Sequence, residues 1–139
     1  MKIKFKKLAP NAVAPRRGTP GSAGFDLTAT SREEIDWHLT RYGTGIAVEI
    51  PPGHVGLVFP RSSCYKHDVL LSNCVGVIDS DYRGEITFVF LHIAEQKIYD
   101  IGDRIGQLVI VPIPDVEYEE VDKLSATERG AGGYGSTGR

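Results

Sequence analysis

The sequence predicts an all-β domain, a barrel or sandwich of short strands, and three observations lead there. Helical periodicity is nearly absent along the 139 residues. Short runs rich in Val, Ile, Phe and Tyr follow one another at close spacing, the pattern of many short strands packed in two layers. Between them fall clusters such as "IPPGH", "DSDYRG" and "IGDR", whose Gly, Pro and Asp punctuate a chain where it turns.

Taken in order, "IKFKKL" alternates lysine with apolar residues and reads as an edge strand guarded by charge. "AGFDLTA" is the second strand. "SREEIDWH" is the only helical candidate, a single turn with Ser31 as N-cap and Glu34 three residues on. Further strands are expected at "TGIAVEI", "HVGLVF", "DVLL", "CVGVI", "EITFVFLHI", "RIGQLVIVPI" and "VEYEEV". "CVGVI" and "EITFVF" flank "DSDYRG" and read as a hairpin. Strand character stops after about Thr127. The expected organisation is one domain over 1–128 and a flexible Gly-rich arm over 129–139.

The charge balance, 16 Lys and Arg against 18 Asp and Glu, offers no reason to expect nucleic acid or a membrane as partner. No apolar run is long enough for a signal peptide or a membrane span, so a cytoplasmic protein is expected. Cys64 and Cys74 form no C-x-x-C and have no histidine at ligand spacing. They read as reduced, partly buried thiols rather than a metal site. At this length the core is modest, and oligomerisation would help it.

Four segments carry polar groups that a β-domain does not need. The closing "RGAGGYGSTGR" contains G-x-G-x-x-G at Gly130, Gly132 and Gly135, yet only four residues follow. The helix that a dinucleotide site requires after those glycines cannot form, and Ser136 stands where a phosphate loop has lysine. Either this is a disordered tail, or Arg129, Tyr134, Ser136 and Thr137 close over a nucleotide. In residues 73–88, Asp79 and Asp81 lie two apart and would share a face on an extended strand. Asn73 can read a base edge and Tyr82 adds a ring, although Asp and Gly are also ordinary turn residues. In "FPRSSCYK", Arg61, Ser62 and Ser63 suit phosphate oxygens. Asp26, Arg104 and Gln107 are polar exceptions in apolar strands, each facing solvent or serving a site. A nucleophilic serine would need a histidine base, and His38, His54, His67 and His92 lack that context.

In this order the segments resemble the homotrimeric deoxyuridine triphosphatase (dUTPase) family, which carries five ordered motifs. They match "AGFDL" (23–27), "PRSS" (60–63), "GVIDSDYRGEI" (76–86), "RIGQLVIVP" (104–112) and "RGAGGYGSTG" (129–138). The resemblance spans nearly the whole chain and implies a jelly-roll-like β barrel or sandwich. It implies hydrolysis of dUTP to dUMP and pyrophosphate, with Asp79 as general base for a water that attacks the α-phosphorus. It implies Mg2+ on the triphosphate oxygens, held through phosphate and water and not by direct protein ligands. Arg61, Ser62, Ser63 and Gln107 match phosphate-side positions. Asn73 matches the uracil reader, with backbone of Gly76, Val77, Ile78 and Asp79, and near Thr87, completing the slot. Tyr82 matches the ring that packs on deoxyribose and excludes a 2′-hydroxyl. In the arm, Arg129 would reach the terminal phosphate, Tyr134 would stack on uracil, and Gly133, Gly135 and Ser136 would approach phosphates. The implied assembly is a homotrimer with active sites at subunit interfaces, the arm serving its own or a neighbour's site.

The chain departs from the family's usual pattern at Tyr134 (usually Phe), Ser63 (often Gly) and Gly106 (commonly Ala). The spacing between Pro60 and Asn73 is one residue tighter than in many relatives, and "SREEIDWHLTRYG" belongs to no motif. The rival enzyme is a dCTP deaminase of the same fold, which carries a catalytic glutamate where this chain has Val89. A non-catalytic nucleotide-binding regulator would be built on the same barrel. A plain β-sandwich binding module would not need Asp79 and Arg129 together.

Overall fold

The computed structural model describes residues 1–94 and 98–136; Thr137 and Gly138 of the closing motif lie outside them. Ten strands run in chain order: β1 (Lys4–Lys7), β2 (Phe25–Thr28), β3 (Ser31–Asp36), β4 (Leu39–Gly43), β5 (Ile46–Glu49), β6 (His54–Phe59), β7 (Val69–Leu71), β8 (Gly76–Ile78), β9 (Thr87–His92) and β10 (Arg104–Pro112). They pair as three antiparallel sheets. Two have four strands, in the orders β2-β10-β6-β8 and β3-β4-β9-β7, and β1 pairs β5 as a ribbon. The architecture is the all-β one expected, as a sandwich. Among the described residues no helix is long and apolar enough to cross a membrane.

The core lies between the two larger sheets. Leu27, Val58, Ile105 and Leu108 come from one; Tyr42, Val69, Phe88 and Phe90 come from the other; Ile46 and Val48 of β5 join them. Burying such a side chain is worth about 1.5–3 kcal/mol. Two buried hydroxyls of the core are paired, as desolvation demands. Thr44 Oγ1 donates to the Ile86 carbonyl at 2.7 Å, and Tyr42 donates to the Tyr99 carbonyl at 2.9 Å. Gly106 lies under the Phe88 ring, and a Cβ there would run into it. That accounts for glycine where the family commonly has alanine.

Several expectations need correction. "SREEIDWH" is not helical: Ser31–Asp36 is β3, the outer strand of its sheet, paired with β4 in register Ser31↔Gly43 to Asp36↔Leu39. All six of its side chains are exposed, so it shows no inside–outside alternation, and pairing with β4 overrides the local capping signal. The only helix among the described residues is a 3-10 turn at Ser62–Lys66, inside the segment read as a phosphate loop. "VEYEEV" forms no strand; residues 116–121 are exposed and have no assigned secondary structure. "DSDYRG" is not a hairpin turn, because β8 pairs β6 while β9 pairs β4 and β7. The chain there crosses from one sheet to the other. Both cysteines are free, but Cys74 is exposed where partial burial was expected. It sits at φ 59° in the turn that follows β7.

Candidate active site

The first cluster gathers at one end of the β2-β10-β6-β8 sheet. β10 is central, with β2 on one side and β6 on the other. Gln107 lies opposite Asp26 of β2 and Phe59 of β6, so the segments of motifs one, two and four converge by register alone. Asp26 is the centre of this arrangement. Its carboxylate, 13% exposed, takes Arg61 Nε on Oδ1 at 3.0 Å and Arg104 on Oδ2 at 2.8 Å. Two guanidiniums on one carboxylate leave a net positive charge. Arg61 uses its Nε on the anchor, and its Nη1 lies 3.4 Å from Ser63 Oγ. The outer edge of its fork is therefore aimed and available for a second, anionic partner.

Gln107 donates to the Pro60 carbonyl at 3.2 Å, and its side chain lies against Gly24, where a Cβ would strike the amide oxygen. Arg61 occupies the N-terminal boundary of the 3-10 turn in extended conformation, φ −83° and ψ 156°. Ser62 and Ser63 open that turn, which is closed by Cys64 N–H to the Arg61 carbonyl at 2.9 Å.

The second cluster is on β8 and the crossing that follows. Asn73 is exposed, and its amide nitrogen lies 3.5 Å from where a Gly76 Cβ would be. Gly76 is buried while Val77 is exposed, leaving an apolar surface beside a donor–acceptor pair. Asp79 follows β8 directly and is exposed; Asp81 lies in the next turn. The two carboxylates are not on one extended strand, as the spacing had suggested. Asp81 instead lines a pocket with Lys2, Lys4 and Arg83. Tyr82 N–H donates to the Asp79 carbonyl at 3.2 Å. Its hydroxyl donates to the Glu85 carbonyl at 3.0 Å, and its ring covers Gly84. Arg83 laces the loop by donating to the Ser80 and Tyr82 carbonyls at 2.7 and 2.8 Å. Thr87 opens β9, opposite Gly43 in the other sheet, so strand pairing does not connect it to Gly76–Ile78.

These clusters stay apart within one chain. The β6–β8 register pairs Val58 with Gly76 and Gly56 with Ile78, so Asp79 falls level with Val55 at the start of β6. Arg61 follows the other end of that strand. At strand rise the separation is about 20 Å.

The arm is a third, separate group. Arg129 Nε donates to the Gly132 carbonyl at 3.2 Å, and Ser136 N–H to the Gly133 carbonyl at 3.0 Å. Gly130 and Gly135 take positive φ of 51° and 87°, which glycine adopts without strain. A Cβ on Gly133 would meet no neighbour. Tyr134 is fully exposed at φ 49°.

Sequence reasoning had raised Asp26 and Arg104 only as polar exceptions. Their role as the anchor and second cation around Arg61 depends on pairing between β2 and β10, which no local pattern encodes. Val89, at the rival deaminase's glutamate position, lies in β9 opposite Arg41. Among the described residues no group of three or more His, Cys, Asp or Glu could hold a metal ion.

Comparison with known proteins matches residues 10–138 to the dUTPase family model. The deoxyuridine 5'-triphosphate nucleotidohydrolase of Corynebacterium glutamicum is 45% identical, covering 99% of this chain and 95% of its own. That of Rhodococcus erythropolis is 42% identical, covering 99% and 87%. Among solved structures, the dUTPase of Staphylococcus bacteriophage 80alpha with dUPNHPP superposes with a TM-score of 0.86 at 28% identity, covering 99% of both chains.

Proposed function

The chain belongs to the dUTPase family and is a dUTP diphosphatase, and from that premise we propose how its residues divide the reaction. Arg61, Ser62, Ser63 and Gln107 hold the phosphates, and Asn73 reads uracil against the backbone of Gly76, Val77 and Ile78, with Thr87 nearby. Tyr82 walls the deoxyribose. Asp79 takes a proton from water as the water oxygen bonds to the α-phosphorus, and the bond to the bridging oxygen breaks to release pyrophosphate. The observation that carries this reading is the anchored Arg61: an aimed guanidinium next to Gln107 is a phosphate cradle assembled before substrate arrives.

Mg2+ fits as a passenger on the substrate. In this reading the triphosphate oxygens and water would be its donors, and it would neutralise phosphate charge.

We further propose that the active site forms between copies of the chain in a homotrimer. The separation of Asp79 from Arg61 supports this, since one substrate cannot span both within one chain. So does an apolar groove of about 730 Å³ lined by Phe5, Phe25, Leu108 and Ile110, with Lys2 and Arg17. The exposed segment after β10 carries Val116, Tyr118 and Val121 among Glu117, Glu119 and Glu120. It matches the groove in polarity and charge, and a neighbouring copy's segment is its proposed occupant. The domain over 1–128 then presents the arm over 129–139 as a lid, with Arg129 on the terminal phosphate, Tyr134 on uracil, and Gly133, Gly135 and Ser136 against phosphates. A cytoplasmic location accords with this housekeeping chemistry.

Product analysis tests the reading. The purified protein is given dUTP, dCTP, dTTP or UTP, with magnesium and then with chelator, alongside Asp79→Asn. The expected result is dUMP and pyrophosphate from dUTP alone, lost on chelation and lowered about 1,000-fold in the variant. Deamination of dCTP would assign the chain to the rival chemistry, and turnover surviving in Asp79→Asn would remove the proposed base.

A further inference from the structure

Behind the Arg61 loop lies a pair of buried polar groups that the hydrolytic scheme leaves unused. His67 ends the 3-10 turn, its N–H donating to the Cys64 carbonyl at 2.9 Å. Its ring stacks on that of Tyr99, with centroids 4.0 Å apart and planes 31° apart. Tyr99 is 1% exposed and belongs to the core: its carbonyl takes the Tyr42 hydroxyl, and its ring packs on Phe90 at 5.3 Å. Tyr99 also leads, five residues on, into Arg104 at the start of β10. The His67–Tyr99 contact thus joins the turn bearing Ser62 and Ser63 to the strand bearing Gln107.

The Tyr99 hydroxyl and His67 Nδ1 are both buried, and neither has a hydrogen-bond partner among the described residues. A phenylalanine would supply the same stack without stranding a hydroxyl, and stranding a buried donor is costly. A single water, which takes two to four polar partners, can serve two such atoms at once. Through His67, which closes the turn that Arg61 opens, the pair is joined to the loop bearing Ser62 and Ser63.

We propose that Tyr99 and His67 are positioning residues for the phosphate loop, holding one buried water between the Tyr99 hydroxyl and His67 Nδ1 that fixes the Ser62–Lys66 turn to the approach of β10. The proposal rests on the reading of Arg61 to Ser63 as phosphate contacts. It assigns neither residue a contact with substrate. Loosening the turn would displace the α-phosphorus from its line of attack more than it would weaken binding of uracil and sugar, so kcat should suffer more than KM.

The test compares wild type, Tyr99→Phe, His67→Phe and the double variant, by steady-state kinetics on dUTP, thermal melting and crystal structures. For Tyr99→Phe we expect an undiminished melting temperature, kcat lowered about fivefold and KM changed less than about twofold. His67→Phe should behave alike, and the double variant should be no worse than either, because both act through one water. Density for a water bonded to both atoms should be present in wild type and absent in Tyr99→Phe. Full kcat in Tyr99→Phe, multiplicative losses in the double variant, or separate partners for the two atoms would overturn the proposal. Should His67→Phe fail to fold, Tyr99→Phe removes a single oxygen and decides the matter alone. Arg61→Ala separates the two levels. Full activity in that variant would remove the phosphate-loop reading itself. A crippled Arg61→Ala beside an unaffected Tyr99→Phe would remove the positioning pair only.

Discussion

The cradle around Arg61 and the arm beyond Glu128 are both proposed to meet a triphosphate, and they are held in opposite ways. In the cradle, the polar groups are fixed by other elements of the fold: Arg61 and Arg104 by Asp26, Gln107 by Pro60 and the bare backbone of Gly24. In the arm, bonds such as Arg129 to Gly132 and Ser136 to Gly133 span only a few residues, and its ring stands in solvent. Preorganisation costs nothing at the moment of binding but cannot let substrate in or out. A segment fastened only to itself can, and it loses its ordering entropy when substrate arrives. The proposed scheme separates the two tasks along the chain.

The sharpest way to break the contrast is to unfasten the cradle. Asp26→Ala leaves two guanidiniums facing each other and should cost about 3 kcal/mol in denaturant unfolding, with kcat/KM lowered about 100-fold. A stability change near zero would mean that the anchor is ornamental. Next is an alkaline titration of the body beneath the cradle. The Tyr99 hydroxyl is pushed up to about 12 from 10.0, chiefly by burial. Because the folded value is raised, this contribution is complete below pH 10.0 and is lost as pH rises through about 12. The loss is on the order of 2–3 kcal/mol; wild type and Tyr99→Phe, alike in stability at neutral pH, should diverge across that window as wild type falls below the variant, while the loss from Tyr42, whose pKa burial also raises, is common to both. The smallest effect on stability belongs to the arm. Ending the chain at Glu128 should shift unfolding by no more than about 0.5 kcal/mol while lowering kcat/KM at least about tenfold. In the full chain, Tyr134→Phe should be neutral and Tyr134→Ala should raise KM a few-fold, on the order of a lost stacking contact.

Much of this was legible in the residues, and what was not has a common cause. Eight of the nine runs read as strands contain one, because half-buried strands imprint their environment on side-chain type. β3 escaped because an outer strand with all side chains exposed carries no imprint, and Ser31 and Glu34 mimic a helix start. β4 had a readable signal, buried Thr40 and Tyr42 around exposed Arg41, that was not read as a strand. "VEYEEV" has the alternation of a strand but no strand partner among the described residues. The turn chemistry of "DSDYRG" was recognisable, whereas its partners were not: which sheet a strand joins is a long-range fact. The same holds for Asp26, whose importance is set by residues 35 and 78 positions away.

The register of β8 on β6 has a genetic consequence. With the cradle and Asp79 at opposite ends of one strand, a proposed intersubunit site draws each from a different copy. Two crippled alleles, Arg61→Ala and Asp79→Asn, would then rescue one another when co-expressed, with about a quarter of the sites in randomly mixed trimers receiving an intact half from each parent. By the same arithmetic either allele, expressed beside the wild type, would poison sites that it does not itself encode.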